Sequence, residues 1–477
     1  MSQLTIVWIA LPFLLGFSSY LFPKLNRYLA IGAAIASALY AGLLFHSDPV
    51  VLRLLDHFGV TLVADRLSGY FVLTNALVTT AVALYCWSSS RSPFFYTQIV
   101  ILHGSVNSAF ICADLISLYV ALEVISIAAF LLIAYPRSDR AVWVGLRYLF
   151  VSNTAMLFYL MGAVLVYQAH RSFAYAGLRS APTEALALVC LGLLVKGGVF
   201  VSGLWLPLTH AESETPVSAL LSGVVVKAGI FPLLRCALML EDLSLVISLL
   251  GLGTALLGVG YALFEQDAKR LLALSTISQM GFVLAVPAVG GLYALTHGLA
   301  KSALFLLSGT LPSRNLRTSQ PMPTKLWAAI AVAGLSISGL PLLSGFAAKV
   351  LTLKQALPWQ AAALNVAAVG TAAVMAKLLF LPHRPAASAK PQTAQLGFWA
   401  AIALLLGGLI AASGIYPTAY TLANVGKALI TIGLGWLAHL LFLKKITLAL
   451  PRAPEQLGHL IGAMSLVGVA LFWGVLI

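Results

Sequence analysis

Apolar runs of about 20 residues, separated by short polar connections, repeat along almost the whole chain, and this is the length a helix needs to cross a bilayer. The pattern predicts about sixteen spans, centred near Phe13, Ala36, Leu77, Leu102, Ser126, Met156, Leu194, Val226, Gly253, Gln279, Leu304, Gly339, Val369, Leu405, Gly433 and Gly468. The first run, Leu4 to Tyr20, has neither a basic leader nor a small-residue cleavage site, so it reads as a retained span. Two spans are interrupted, the seventh at LVKGGVFVSGLWLP and the twelfth at LSISGLPLLSGFAAKVL. Gly and Pro in mid-span free backbone groups that only a protein-lined or hydrated interior satisfies. Interruptions in corresponding positions of two halves point to repeated bundles around a transport path. Residue-by-residue identity between the halves is not evident.

Charged side chains sit inside these apolar runs: Glu123 in SLYVALEVISIAAFLL, Lys196 in LLVKGGVF, Lys227 in GVVVKAGIF, Lys301 in HGLAKSALFLL and Lys349 in LLSGFAAKVL. One such charge at the bilayer centre costs on the order of 3 kcal/mol by insertion scales. Charges of this kind persist where they face a protein interior and move ions or protons. Desolvation loosens a lysine's proton and a nearby carboxylate tightens it, so a Glu123–Lys196 pair reads as a proton switch. Opposite charges about 4 Å apart at an effective dielectric near 20 interact by roughly 4 kcal/mol, or about three pKa units. A structural ion pair is the rival reading. His297 and Lys301 stand four residues apart on one helical face, which suits a relay. Lys349 follows the twelfth-span break and either points into the bundle or snorkels to the surface. Ser275, Thr276, Ser278 and Gln279 make a polar stretch suited to helix–helix contact or to a water chain. Arg147 is expected to pair with Glu123 or Asp139. Asp267, Lys269 and Arg270 read as a loop cluster anchoring the tenth span.

Composition excludes a water-soluble globule: 61% of the 477 residues are hydrophobic and 9% are charged, with a mean hydropathy of +0.98. The net charge of +14 lies mostly in short loops, so membrane orientation explains it better than nucleic acid does. Lys24/Arg27, Arg91, Arg137/Arg140, Lys269/Arg270, Arg314/Arg317/Lys325, Arg384/Lys390 and Lys444/Lys445/Arg452 follow odd-numbered spans. Arg53, Arg66, Arg171, Arg179, Arg235 and Lys354 follow even-numbered ones. The excess places odd-span loops in the cytoplasm and both termini outside. Cys86, Cys112, Cys190 and Cys236 lack metal-ligand or redox spacing and read as small buried hydrophobes. His210, Glu212 and Glu214 form a loop cluster without ligand geometry, so no metal is assigned. No nucleotide-binding, haem or nucleophile motif appears, so no cofactor is expected and the chain shows no sign of performing redox chemistry or ATP hydrolysis itself.

The stretches LEVISIAAFLLIAY, LLVKGGVFVSGLWLPLTHAESETPVSALLSGVVVKAGIFPLLR, EQDAKRLLALSTISQMG, LTHGLAKSALFLLSGTL and MPTKLWAAIAVAGLSISGLPLLSGFAAKV resemble the antiporter-like subunits of respiratory complex I and of Mrp-type multisubunit cation/proton antiporters. The resemblance runs from about Asp65 to Leu381. Its implied fold is an all-α polytopic membrane protein of about 14–16 transmembrane helices. Two inverted five-helix repeats (residues 93–240 and 241–382) would be flanked by spans in 1–92 and 383–477, with helices 7 and 12 broken. It implies a lateral polar axis of Glu123, Lys196, Lys227, His297, Lys301 and Lys349, supported by Arg147, Ser275, Ser278 and Gln279. Implied partners are other membrane subunits, protons and monovalent cations. The chain departs from the family in WLPLTH, where an acid commonly follows the proline, and at Arg147, where a lysine is common. Its closing spans, including LPRAPEQLGHLIGAMSLVGVALFWGVLI, look most like a D-type Mrp subunit. The expected activity is proton translocation within a cation/proton antiporter of a plasma or thylakoid-type membrane. A complex I-type proton pump is the alternative.

Overall fold

The computed structural model describes residues 1–55, 59–385, 394–446, 448 and 450–476, and Lys390 of the loop cations lies outside them. The helices are α1 Ser2–Leu21, α2 Asn26–Leu44, α3 Arg66–Tyr85, α4 Pro93–Ala109, α5 Leu115–Ile133, α6 Asp139–His170 and α7 Thr183–Gly197. Then come α8 Leu206–Glu212, α9 Thr215–Leu220, α10 Lys227–Met239, α11 Glu241–Phe264, α12 Ala268–Ala285 and α13 Gly290–Ser308. The chain continues with α14 Thr324–Ser338, α15 Ser344–Gln355, α16 Pro358–Leu379, α17 Ala394–Ser413, α18 Leu422–Ala438 and α19 Leu457–Leu476. A hairpin of β1 Val50–Leu55 and β2 Gly59–Ala64 joins α2 to α3. This is an integral membrane protein of the all-α class.

Among the described residues, eleven helices are long and apolar enough to cross a membrane, and α12 with α13 adds a pair bent by 108°. That is fewer than the sixteen runs read from the sequence: α12 and α13 count as one bent pair, α19 is an apolar helix below that length over Leu457–Trp473, and two further runs fall short for physical reasons. The twelfth run is split into α14 and α15, each too short alone. The fourth, α4, has 17 residues and a polar seam of Gln98, His103, Ser105 and Asn107. The sixteen predicted centres all fall in these helical runs, apart from Val226, which joins a π-helical turn to α10, and Gly339, at a break.

Side-chain caps start several helices: Asp65 accepts from Ser68 N (2.9 Å), Asp114 from Ser117 N (2.7 Å) and Asp267 from Arg270 N (3.0 Å). The seam of α4 is spent on helix association. His103 and Asn107 meet Ser37 of α2 at 2.8 and 3.0 Å, and Asn75 of α3 donates to Asn107 at 2.8 Å. At the other end of the chain, α17 packs on α3 and α13, while α19 covers α7 and the turn Phe200–Trp205.

Both breaks share one local design. Gly198 and Gly339 end α7 and α14 in the left-handed region at φ +67° and +90°. The next residue's amide reaches back to close the same terminal bond, Val199 N to Leu194 O and Leu340 N to Leu335 O, each 2.9 Å. A bulky residue at positive φ follows each glycine, Phe200 and Leu342. The motif caps most of the freed carbonyls and leaves a few for side chains.

Asp65, between β2 and α3, pins α3 to α10 through a two-pronged ion pair with Arg235 at 2.8 and 2.9 Å. Burial would raise its carboxyl, but the Arg235 hydrogen bonds and charge, with the Ser68 amide, hold it below its ordinary 3.8. A depressed carboxylate stabilises the fold fully above the unfolded value, and that contribution disappears as pH falls through the folded one. Asp65→Asn keeps the cap and removes the charge. It is expected to cost about 1–3 kcal/mol near neutral pH. In detergent thermal melts, the gap in Tm from wild type should shrink on acidification to about pH 3; a gap constant with pH would refute this role.

Candidate functional site

The four lysines read from the sequence are all buried, at 7%, 0%, 0% and 8% exposure for Lys196, Lys227, Lys301 and Lys349. Among the described residues none forms an ion pair with a carboxylate. Their ammonium groups rest on neutral oxygens and one imidazole, an arrangement that holds a proton without trapping it.

Lys196 ends the first half of the broken seventh span. Its Nζ donates to Ser126 Oγ, to Ser152 Oγ at 2.6 Å and to the Leu122 carbonyl at 3.1 Å. Glu123, next to Leu122 on α5, is half-buried. The two charges interact at longer range, but the expected contact is not a closed pair because the serine hydroxyls occupy the ammonium. Beside Lys196 lies a narrow cleft of about 10 Å³, lined also by Ser152, Tyr148, Val225, Ala228 and Gly229. It reaches the span that carries Lys227. No direct hydrogen bond links Lys196 to Lys227 among the described residues.

Lys227 follows the π-helical turn Leu221–Val225, a distortion found mostly at functional sites. Its Nζ donates to the Ser222 carbonyl and to His297 Nδ1, both at 3.2 Å. With Lys227 protonated, Nδ1 accepts and the ring proton sits on Nε2. His297 Nε2 is buried without a partner among the described residues and borders a void of about 10 Å³ lined by Gln279, Tyr293, Thr296, Ser336 and Gly345. Ser336 Oγ there is also unpartnered. Void-facing polar groups of this kind are the ones ordered water satisfies.

Lys301, one turn beyond His297 on α13, donates to the Leu272 carbonyl at 3.1 Å. Thr276 donates to the same carbonyl at 2.9 Å and meets Ser222 Oγ at 2.7 Å. Lys227 and Lys301 thus share a short polar bridge across α12. The sequence reading placed Thr276 in its polar stretch but did not single out Ser222, whose signal was a hydroxyl five residues before a buried lysine. Lys349 points inward rather than to the surface. Its Nζ donates to the Ser338 carbonyl freed by the twelfth-span break (3.2 Å) and lies 5.5 Å from the Phe282 ring centre.

The supporting residues divide. Gln279 joins the void wall, accepting from Tyr293 Oη at 2.8 Å and reaching Thr371 at 3.3 Å. Ser278 ties α12 to α11 through the Ala255 carbonyl (2.9 Å), which is helix contact, and Ser275 is buried beside it on α12. Arg147 pairs with neither Glu123 nor Asp139. It donates to the Glu455 carbonyl, because the turn before α19 folds back onto α6, and its Nε and Nη1 have no partner. His210, Glu212 and Glu214 diverge: His210 is buried, while Glu212 and Glu214 pair with Arg140 and Arg91. All four cysteines are buried and free.

Residues 112–376 match the family described as NADH:quinone oxidoreductase/Mrp antiporter, TM. The D-type subunit of a Na(+)/H(+) antiporter from Alkalihalophilus pseudofirmus is 27% identical over 393 residues, covering 73% of this chain and 80% of that relative. The NAD(P)H-quinone oxidoreductase chain 4 2 of Trichodesmium erythraeum is 30% identical over 319 residues. That match covers 60% of this chain, which spans 56% of that relative's length. Among solved structures, an Mrp complex from a Dietzia species superposes with a TM-score of 0.76 at 23% identity, over 97% of this chain and 59% of that one. A membrane-bound sulfane sulfur reductase of an archaeal respiratory complex gives 0.77 at 21%, over 92% and 100%. At these identities the structural likeness speaks for the fold.

Proposed function

Because the chain belongs to the NADH:quinone oxidoreductase/Mrp antiporter family of membrane proteins, we propose that it is the proton-translocating subunit of a multisubunit cation/proton antiporter. The observation that carries this reading is the Lys227–His297 contact, where a buried ammonium without a counter-carboxylate donates to a neutral imidazole. A proton passed from Lys227 to His297 Nδ1 frees the Nε2 proton toward the void by Gln279 and Tyr293. From there the path continues to Lys349 at the broken twelfth helix. On the other side, Lys196 takes up or releases its proton as Glu123 approaches or withdraws, and the cleft beside it leads toward Lys227. The shared break geometry supports two repeats, residues 93–240 and 241–382, of which one carries Lys196 and the other Lys349.

The expected partners are further membrane subunits, as in the relatives named above, together with protons and monovalent cations. Both termini are assigned to the non-cytoplasmic side of a plasma or thylakoid-type membrane. A second reading, an antiporter-like subunit of a quinone-linked oxidoreductase, draws on the 30% identity to the Trichodesmium chain. Co-purified subunits separate the two: small antiporter partners in one case, iron–sulfur and quinone-site subunits in the other.

Reconstituted complexes carrying Lys196→Ala are expected to lose driven proton flux by roughly tenfold or more. Glu123→Ala should give a smaller loss, since its charge acts at a distance. Cation-dependent pH change in everted vesicles reads both. Unchanged flux in both variants would leave this chain a structural role alone.

A further inference from the structure

Lys269 was expected to be a loop anchor, yet it is 8% exposed and ion-pairs with no acid among the described residues. Its neighbours account for the acids instead: Asp267 pairs with Arg314 at 2.9 Å, and Glu265 with Arg270 at 2.8 Å. Lys269 Nζ donates to the Ser213 carbonyl at 2.7 Å and reaches Ser218 Oγ at 3.5 Å. Ser218 in turn donates to the His210 carbonyl at 2.8 Å. The ammonium is therefore held by neutral oxygens, just as the ammonium groups of the central lysines are.

His210 is the second unassigned group in the same place. It is wholly buried, its Nδ1 is fixed on the Leu206 carbonyl at 2.9 Å, and its Nε2 has no partner among the described residues. Its ring centre lies 5.4 Å from that of Phe305, which stands one turn beyond Lys301 on α13. The ammonium groups of both Lys269 and Lys301 lie within electrostatic reach of the imidazole. With Nδ1 donating to a carbonyl, Nε2 is the basic nitrogen and is free to accept a proton.

The α12 helix links these groups to the central path. Lys269, the Leu272 carbonyl that holds Lys301, Thr276 and Gln279 follow one another at three- or four-residue spacing, about 5 Å apart along the axis. Lys269 is the member nearest the helix start. Beyond it stand Glu214, paired with Arg91 at 2.6 Å, and Glu212, paired with partly exposed Arg140. The Asp267–Arg314 pair stands at the same end of α12.

We propose that His210 and Lys269 form a proton-exchange station connecting Lys301 to the loop face carrying Glu212 and Glu214. The step is a proton transfer alone: Nε2 of His210 takes a proton from the Lys301 side, and Lys269 or water at Ser213 and Ser218 hands it outward. No electron or other co-reactant is involved. The groups facing the station are Lys301 and Phe305 from α13, Lys269 from α12, the Asp267–Arg314 pair at the start of α12, Trp205 from the preceding turn, Glu212 from the end of α8 and Glu214 from the turn after it. This rests on the proton-path reading above and adds to it where the path opens.

The test uses the assembled complex in vesicles, with cation-driven proton flux and its pH profile as readouts. Lys269→Arg keeps the charge and the hydrogen bonds but cannot release a proton near neutrality. A structural lysine tolerates that change; an exchanging one does not. The expected result is wild-type assembly with roughly a tenfold or greater fall in flux for both Lys269→Arg and His210→Gln. Added imidazole should restore part of the flux of His210→Ala. Lys227→Met serves as the reference. If it abolishes flux while Lys269→Arg and His210→Gln run at wild-type rate and pH profile, the exchange station is overturned and the central path stands. If Lys227→Met also retains full flux, both fall. Should Lys269→Arg fail to assemble, the His210→Ala imidazole response decides: recovery supports the station and a flat response overturns it.

Discussion

Replacing Lys227 by methionine should raise the thermal stability of the chain or leave it unchanged while removing roughly a hundredfold or more of its proton flux. The two effects have opposite signs because the ammonium is wholly buried and has no counter-carboxylate among the described residues. Burial of such a group opposes folding, and a thioether of similar length fills the same space without that cost. The variant leaves His297 Nδ1 and the Ser222 carbonyl without their shared donor. That loss is modest for the carbonyl, which lies in a helical turn, but decisive for transfer, since no group then hands a proton to the imidazole. Lys227→Arg should abolish flux as well, because a guanidinium holds its proton at any working pH. Thermal melts and vesicle flux on the same preparation check both halves. Flux at wild-type level in Lys227→Met would remove Lys227 from the path.

Gly345→Val is expected to prevent stable folding or lower Tm sharply. A Cβ at Gly345 meets the Ser336 carbonyl oxygen at 1.9 Å and its carbon at 2.8 Å, and backbone cannot turn aside as a flexible side chain can. Overpacking of this kind costs about 1–3 kcal/mol where the core relaxes and more where it does not. Any relaxation moves α15 away from α14. That separation pulls Lys349 from the Ser338 carbonyl and deforms the void next to His297. Gly433→Val is the control, because no atom stands within 4 Å of its added Cβ. Equal melting of the two variants would refute the tight crossing at the second break.

Much of this site is legible in one dimension. Lys196, Lys227, Lys301 and Lys349 stand out because each interrupts an otherwise apolar run, and a membrane interior penalises any charge without a use. The breaks at Gly198 and Gly339 are visible because glycine next to Lys196 or proline near Leu340 cannot continue a lipid-exposed helix. Polar residues that lie close to one another in space but far apart in sequence are not legible. Ser126 and Ser152 hold Lys196 from 70 and 44 residues away, and nothing local marks either as its partner. The seam of His103, Asn107, Asn75 and Ser37 is likewise spread over three helices.

Arg147 and Lys269 show why partner assignment fails from sequence. Nearby acids suggested Glu123 or Asp139 for Arg147, and Lys269 was grouped with Asp267 and Arg270 as a loop cluster, since proximity in sequence was the only distance available. In the folded chain Arg147 meets Glu455, 308 residues away, because α19 returns across the first bundle. Lys269 turns inward to Ser213, because Arg314 occupies Asp267.

The membrane class, the succession of spans, the two interruptions and the identity of the buried cations follow from sequence alone, since transfer free energy and backbone satisfaction are properties of each segment taken separately. Which oxygen each ammonium touches, that Glu123 stands off from Lys196, that His210 packs against Phe305 and that Lys269 turns to Ser213 were decided only by tertiary packing, because a hydrogen bond depends on ångström-scale placement of helices whose sequence separation carries no information about their distance.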